Sequence, residues 1–269
     1  MRRAGLALLG LVALGALALV VTLPARLYGR TPVGALTIEV AGPGQVSARE
    51  IRDALAIAPA TPLRAIDRAT LCARLVSEVP RIAAAEFAGG WWQPPFLRVV
   101  ERIPVAIWID ATGTVGEIAA DGTLLAPRGQ APADLPLLTW EPEAAVAAQP
   151  PGPAAAPDDG AREAPRFDAP GAPDLLAVLA ALQQCVPHLW EAISEAHLHP
   201  DGTYELLWND QPTVAWGRGA LSATRLHAWE AVMADLQARG ERDAVIDLRY
   251  RDQILVRLPD ATSAGGERS

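Results

Sequence analysis

Apolar and polar positions divide the chain into stretches of different period. Gly5 to Leu23 is an uncharged run of 19 residues rich in Leu, Val and Ala, entered from Met1-Arg2-Arg3 and left through Pro24-Ala25-Arg26. At about 1.5 Å per residue it makes a helix of about 28 Å, close to the ~30 Å of a bilayer's hydrocarbon core. The run predicts a transmembrane signal anchor over residues 5–25, with residues 1–4 as a short cytoplasmic end. The competing reading is a cleaved signal peptide with Ala16-Leu17-Ala18 as its cleavage site. Against it, the run continues apolar through Leu19, Val20 and Val21. Arg2 and Arg3 face Arg26 and Arg30 across it, so flanking charge leaves the orientation open.

Shorter periods follow. Leu36 to Val40 alternates like a strand, and Ala41-Gly42-Pro43-Gly44 breaks it. Ser47-Ala48-Arg49-Glu50 reads as a capping box for a helix to about Leu55. Asp67 is placed to cap a second helix carrying Leu71, Leu75 and Val79 every four residues, closed by Pro80. Strands are predicted at about Ile82 to Ala88 and Phe96 to Arg102. Further on, Asp174 to about Gln184 reads as an apolar helix, Asp201-Gly202 as a hairpin turn, and Val214 to Gly217 as a strand ending in Gly. An amphipathic helix is predicted from about Ala223 to Arg239, with Leu226, Trp229, Met233 and Leu236 on one face and Gly240 past its end. Glu141 to Pro173 is Pro-, Ala- and acid-rich with few large apolar residues, which predicts a disordered insertion; residues 261–269 are expected to be a frayed tail.

Composition removes several functions. All 23 basic residues are Arg, so chemistry that needs a Lys, in a phosphate loop or a Schiff base, is excluded. A net charge of −8 with scattered Arg offers no basic face for nucleic acid. Cys72 and Cys185 sit far apart in apolar contexts; an extracytoplasmic location permits a disulfide, and two free thiols are the simpler reading. His197-Leu198-His199 puts two rings on one face of a strand, without a third ligand at recognisable spacing. Glu195 with Asp201, or Asp243 with Asp247, can be posed as acid pairs, but nothing in their spacing raises either pKa. No catalytic constellation and no cofactor are expected.

The order strand, helix, helix, strand, strand over residues 34–104, with Asp67 at the second helix start and the run Glu101-Arg102-Ile103-Pro104-Val105-Ala106, resembles the POTRA domain of the bacterial cell-division FtsQ/DivIB family. The family pattern Pro-Trp-Val after the second helix is replaced here by Pro80-Arg81-Ile82. The resemblance continues through Gly116 to Leu125 with its Asp121-Gly122 turn, Leu135-Pro136-Leu137-Leu138, the Ala223 to Arg239 helix, and Asp247-Leu248-Arg249-Tyr250. It implies an α+β fold: the anchor, a POTRA domain, and a β-rich domain over residues 105–140 and 174–260 with a C-terminal helix packed on its sheet.

The same resemblance implies a non-enzymatic divisome scaffold in the cell inner membrane, its folded parts in the periplasm and enriched at the septum, docking the FtsB and FtsL pair. The partner-binding residues it implies are Arg249, Tyr250, Arg251, Asp252, Gln253 and Ile254. Alternation from Val245 to Tyr250 predicts a sheet-edge strand, with Ile246, Leu248 and Tyr250 inward and Asp247, Arg249 and Arg251 outward. On that parity Tyr250 is either core or docking residue. A POTRA protein that hands polypeptides to an outer-membrane barrel and a periplasmic hydrolase are the other readings. The Gly5 to Leu23 run makes a direct prediction: the full-length chain should stay in the membrane pellet through alkaline carbonate extraction. Recovery of a soluble form beginning near Leu19 would instead establish cleavage.

Overall fold

The structure, a computed structural model, describes residues 31–89, 94–109, 113–127, 135–140, 165–208, 211–241 and 243–258. The expected anchor, residues 141–164 of the Pro/Ala-rich tract and the expected tail lie outside them. Among the described residues no helix is long and apolar enough to cross a membrane. The chain divides between Arg102 and Ile103 into two compact units.

The first unit follows the predicted order: β1 (Thr37–Ala41), α1 (Ala48–Leu55), α2 (Arg68–Glu78), β2 (Ile82–Ala88) and β3 (Phe96–Glu101). The Ser47 hydroxyl accepts from the Glu50 N–H at 3.1 Å, and an Asp67 oxygen accepts from the Ala69 N–H at 3.1 Å, so both predicted caps satisfy free helix-start amides. Strand β3 lies between β1, to which it is parallel, and antiparallel β2. Ile51 and Leu55 of α1, Leu71 and Leu75 of α2, and Leu97 and Val99 of β3 close the core.

Glu101 shares the inward face of β3 with Leu97 and Val99 and is buried. Its carboxylate accepts from the Val46 N–H at 2.6 Å and the Gln45 N–H at 3.1 Å, tying the loop ahead of α1 to the sheet. Arg102 donates to the carbonyls of Pro80, at 2.6 Å, and Ile82. The Glu-Arg pair is therefore a lock at the end of β3, not a solvated pair. Arg81, also buried, donates to the Gln45 side chain at 2.6 Å.

The second unit is a nine-stranded mixed sheet with helices on one face. Its strands are β4 (Pro104–Ile109), β5 (Val115–Ala119), β6 (Leu124–Leu125), β7 (Leu137–Trp140), β8 (Ile193–Leu198), β9 (Thr203–Trp208), β10 (Gln211–Arg218), β11 (Val245–Asp247) and β12 (Leu255–Arg257). In space they run β12-β11-β10-β9-β8-β7-β4-β5-β6. Helices α3 (Ala172–Cys185) and α4 (Pro187–Glu191) cross between β7 and β8, and α5 (Ala223–Arg239) crosses between β10 and β11. Each crossover joins parallel neighbours, as a helical connection permits.

Leu138, Ala196, Leu206, Ala215 and Ile246 meet Leu175, Leu179 and Leu182 of α3 and Leu226, Trp229 and Met233 of α5 in one core. Trp208 and Trp229 meet edge to face, with ring centroids 5.6 Å apart. Gly240 ends α5 at φ +73°, its N–H bonded to the Gln237 carbonyl while the Glu241 N–H reaches Leu236.

One expected boundary is corrected. Residues 165–173, read as the end of the disordered tract, are ordered: the Pro165 carbonyl accepts from the Leu124 N–H, the Phe167 N–H donates to the Gly122 carbonyl, and Ala169 and Ala172 are buried in the core. Pro- and Ala-rich composition hid a segment that pairs with the 122–124 turn region. Cys72 and Cys185 are free thiols.

The Gly ending the predicted Val214–Gly217 strand has a steric reason. A Cβ on Gly217 would stand 2.1 Å from the ring of fully buried Tyr204, whose hydroxyl donates to the Gly219 carbonyl at 3.0 Å. Burial also pushes the phenol pKa well above its ordinary value, so the ring stays a neutral donor. Gly217→Ala should destabilise the second unit by about 1–3 kcal/mol, as overpacking does. The check is a lowered urea midpoint at unchanged slope.

Candidate protein-docking site

The predicted Val245 to Tyr250 strand ends after three residues. The Asp247 carboxylate turns back and accepts from the Arg249 N–H at 3.1 Å, which withdraws that amide from any ladder. Inward-outward alternation therefore stops. Ile246 and Leu248 remain buried, but Tyr250 is 45% exposed and is not core.

Nor is this strand the sheet edge. β11 lies between parallel β10 and antiparallel β12, with Ile246 opposite Val256 and Asp247 opposite Leu255. The edge is β12, which sequence alternation missed because three residues are too few to show a period. Among the described residues β12 pairs only with β11, whereas the opposite edge, β6, is covered by the Pro165–Phe167 segment. Val256 and Leu258 are exposed beside Tyr250's loop, and Arg257 is exposed with them.

The six residues expected to bind a partner separate accordingly. Tyr250, Arg251, Asp252 and Gln253 form an exposed loop between β11 and β12, while Ile254 turns inward against the core. Arg249 is held down rather than free: its guanidinium donates to both Asp247 oxygens, at 2.9 and 2.7 Å, and lies 5.7 Å from the Trp216 ring centroid. Asp247 lies on the outward face as expected but is buried there rather than solvent-exposed.

Asp247 ends a cross-strand row on the sheet face opposite the helices. Thr139 of β7 pairs with His197 of β8, His197 with Glu205 of β9, Glu205 with Trp216 of β10, and Trp216 with Asp247 of β11. The Thr139 hydroxyl lies 2.8 Å from a Glu195 carboxylate oxygen and 2.7 Å from His197 Nδ1. A carboxylate only accepts, so the hydroxyl donates to Glu195 and accepts a hydrogen bond from Nδ1–H. His199 stacks on Trp216 with centroids 5.3 Å apart, and its Nε2 lies 3.2 Å from Glu205.

The acids posed as pairs are not arranged as general acids. Of the acids posed as pairs, Asp201 accepts from the Thr203 hydroxyl and backbone and lies against Arg218, and Asp247 takes the Arg249 fork; each carboxyl is held below its ordinary pKa, chiefly by those side-chain hydrogen bonds. Both favour the ionised form, the reverse of a general acid. The His197–His199 rings are 4.6 Å apart, and among the described residues no three His, Cys, Asp or Glu side chains group as metal ligands.

The Asp247–Arg249 pair makes stability depend on pH. A depressed folded-state pKa adds stability above the unfolded carboxyl value of about 4, and that contribution disappears as pH falls through the folded value. Asp247→Asn should therefore flatten the fall of the melting midpoint below about pH 4 while lowering the midpoint at neutral pH. Midpoints recorded from pH 3 to pH 7 check this; an unchanged acid limb in the variant would contradict it.

Comparison with known proteins supplies the family. The family described as "Cell division protein FtsQ/DivIB, C-terminal" matches residues 106–249, more than half of the chain, from β4 through the end of the Asp247–Arg249 turn. Three curated relatives share the name Cell division protein FtsQ. The one from Streptomyces bingchenggensis (strain BCW-1) is 36% identical over 91 residues, 34% of this chain and 34% of the relative. That from Streptomyces collinus is 33% identical over 88 residues, 33% of each chain. That from Streptomyces griseus is 33% identical over 92 residues, 34% of this chain and 44% of the relative. The matched stretch thus spans about a third of the first two relatives. The chain belongs to the FtsQ/DivIB family of cell-division proteins.

Proposed function

We propose that this chain is a membrane-anchored scaffold of the division machinery, its two units on the outer side of the cell membrane at the septum, the first of them a POTRA domain. It docks an extended segment of a partner along β12. The observation that carries the reading is the C-terminal sheet edge, where among the described residues β12 pairs on one side only, with Tyr250, Val256 and Leu258 exposed around it. A strand edge offers backbone groups to an added strand, and apolar residues beside it give the added strand's side chains somewhere to pack. The family resemblance points to the extracytoplasmic segments of FtsB and FtsL as the occupants.

Val256 sits opposite Ile246 in the ladder and so continues the helix-covered side of the sheet. A partner strand paired to β12 would place alternate side chains on that side, against Val256 and Leu258. The other face presents Arg249, held over the buried Asp247 at the end of the polar row. This asymmetry favours a partner strand with one apolar and one polar face.

The anchors of such an interface carry most of its energy. Tyr250→Ala should weaken binding of the co-expressed FtsB and FtsL segments by about 1–4 kcal/mol. Its unfolding midpoint should change little, because the ring is already exposed. Val256→Asp should abolish binding by placing a charge among apolar contacts. Calorimetric titration with urea unfolding of each variant decides the matter: both variants binding like wild type would eliminate β12 and its loop as the docking site.

A further inference from the structure

The loop that carries Tyr250 is gripped by a side chain of another element, Arg225 of α5. Arg225 stands at the third position of α5, after the Ser222 cap, and its own N–H is directed to the Ser222 hydroxyl. Its guanidinium reaches across to the loop after β11. One terminal nitrogen donates to the Arg251 carbonyl; the other faces the carbonyls of Leu248, at 2.9 Å, Gln253, at 3.1 Å, and Tyr250. Four carbonyls of one six-residue stretch thus converge on one planar cation.

A helix start is a poor place for this residue. The positive end of the helix dipole disfavours a cation in the first turn, where the capping pattern favours Glu or Gln at this position. What compensates is the ring of carbonyl oxygens, which is outside α5 altogether. Residues 248–254 otherwise have little regular structure: the strand has ended at Asp247, and β12 does not begin until Leu255. Arg249 is fastened through Asp247 and Ile254 through the core, leaving Tyr250 to Gln253 exposed between them. Arg225 spans that interval.

From this convergence we infer that Arg225 is a positioning residue for docking: it pre-orders the 248–253 loop, so that Tyr250 and the start of β12 are presented in the binding conformation before a partner arrives. The inference rests on the docking reading above. Loop ordering that is already established in the free protein need not be supplied by the partner. If only a fraction of molecules holds the competent loop, apparent affinity falls by that same fraction. Lysine does not replace this residue, because one ammonium with three donors lacks the flat fork that reaches several carbonyls at once.

The experiment compares full-length wild type, Arg225→Gln, Arg225→Lys and Tyr250→Ala in detergent, by amide hydrogen exchange without partner and by titration with the FtsB and FtsL segments. In Arg225→Gln, exchange across residues 249–253 should rise tenfold or more, while β8, β9 and the buried turns of α5 keep their protection. Binding should weaken by the factor that the competent loop population falls, and Arg225→Lys should recover only part of both. Unchanged loop exchange in Arg225→Gln would overturn the inference. Loosened exchange with undiminished binding, while Tyr250→Ala still loses binding, would also overturn it but leave the docking site standing. Undiminished binding in Tyr250→Ala would remove the docking site itself, and the positioning role with it. General loss of protection in Arg225→Gln, shared by Arg225→Lys, would show that the residue is structural and overturn the inference.

Discussion

Burial of α3 and α5 on one face of the nine-stranded sheet governs the second unit. Leu138, Ala196, Leu206, Ala215 and Ile246 occupy consecutive strands and must all point toward those helices. Because side chains alternate with period two, the register that buries them sends Thr139, His197, Glu205, Trp216 and Asp247 to the other face. A slip of one residue in β8, β9 or β11 would bury the His197 imidazole or the Glu205 or Asp247 carboxylate without its partners. The polar row is therefore a consequence of core packing, and its contacts add specificity to a register that the apolar face already demands.

The same register sets up the C-terminal edge. Asp247 enters the sheet at the end of the row, buried, and its carboxylate is satisfied by the Arg249 fork and backbone. That local satisfaction ends the strand and releases Tyr250 outward. Arg225 then gathers the carbonyls that the broken ladder leaves without strand partners, and the chain returns as β12. Two arginines, one on each side of the turn, thus give an irregular loop a defined shape at the edge where the proposed partner strand would add.

In the first unit, the Glu101–Arg102 pair is internal. Glu101 closes the loop ahead of α1, and Arg102 gathers carbonyls on either side of Arg81. A buried carboxylate is tolerated only where donors meet it, and two backbone N–H groups do so here. Arg81 is buried as well, and its guanidinium donates to the Gln45 side chain. The Glu101–Arg102 pair is thus a constraint on folding.

The sequence by itself determined those elements whose signals are local. Ser47, Asp67 and Gly240 mark helix ends through their own hydrogen-bonding or backbone chemistry, and the Leu226, Trp229, Met233, Leu236 stripe marks the buried face of α5; each acts within a turn or two of chain. The order of elements in the first unit followed from such local signals, whereas the α+β class and the significance of the Asp247-Leu248-Arg249-Tyr250 stretch came from the family resemblance. Only the tertiary structure decided what that stretch is. Parity assigned Tyr250 an inward direction, but the Asp247 side chain breaks the strand first. Composition assigned residues 165–173 to disorder, but Leu124 and Gly122, distant in sequence, supply their backbone partners. The edge passed to the three-residue β12, and control of the loop passed to Arg225, which lies 25 residues before Tyr250. Neither has a periodic signature, because both depend on contacts that exist only once α5 has packed on the sheet.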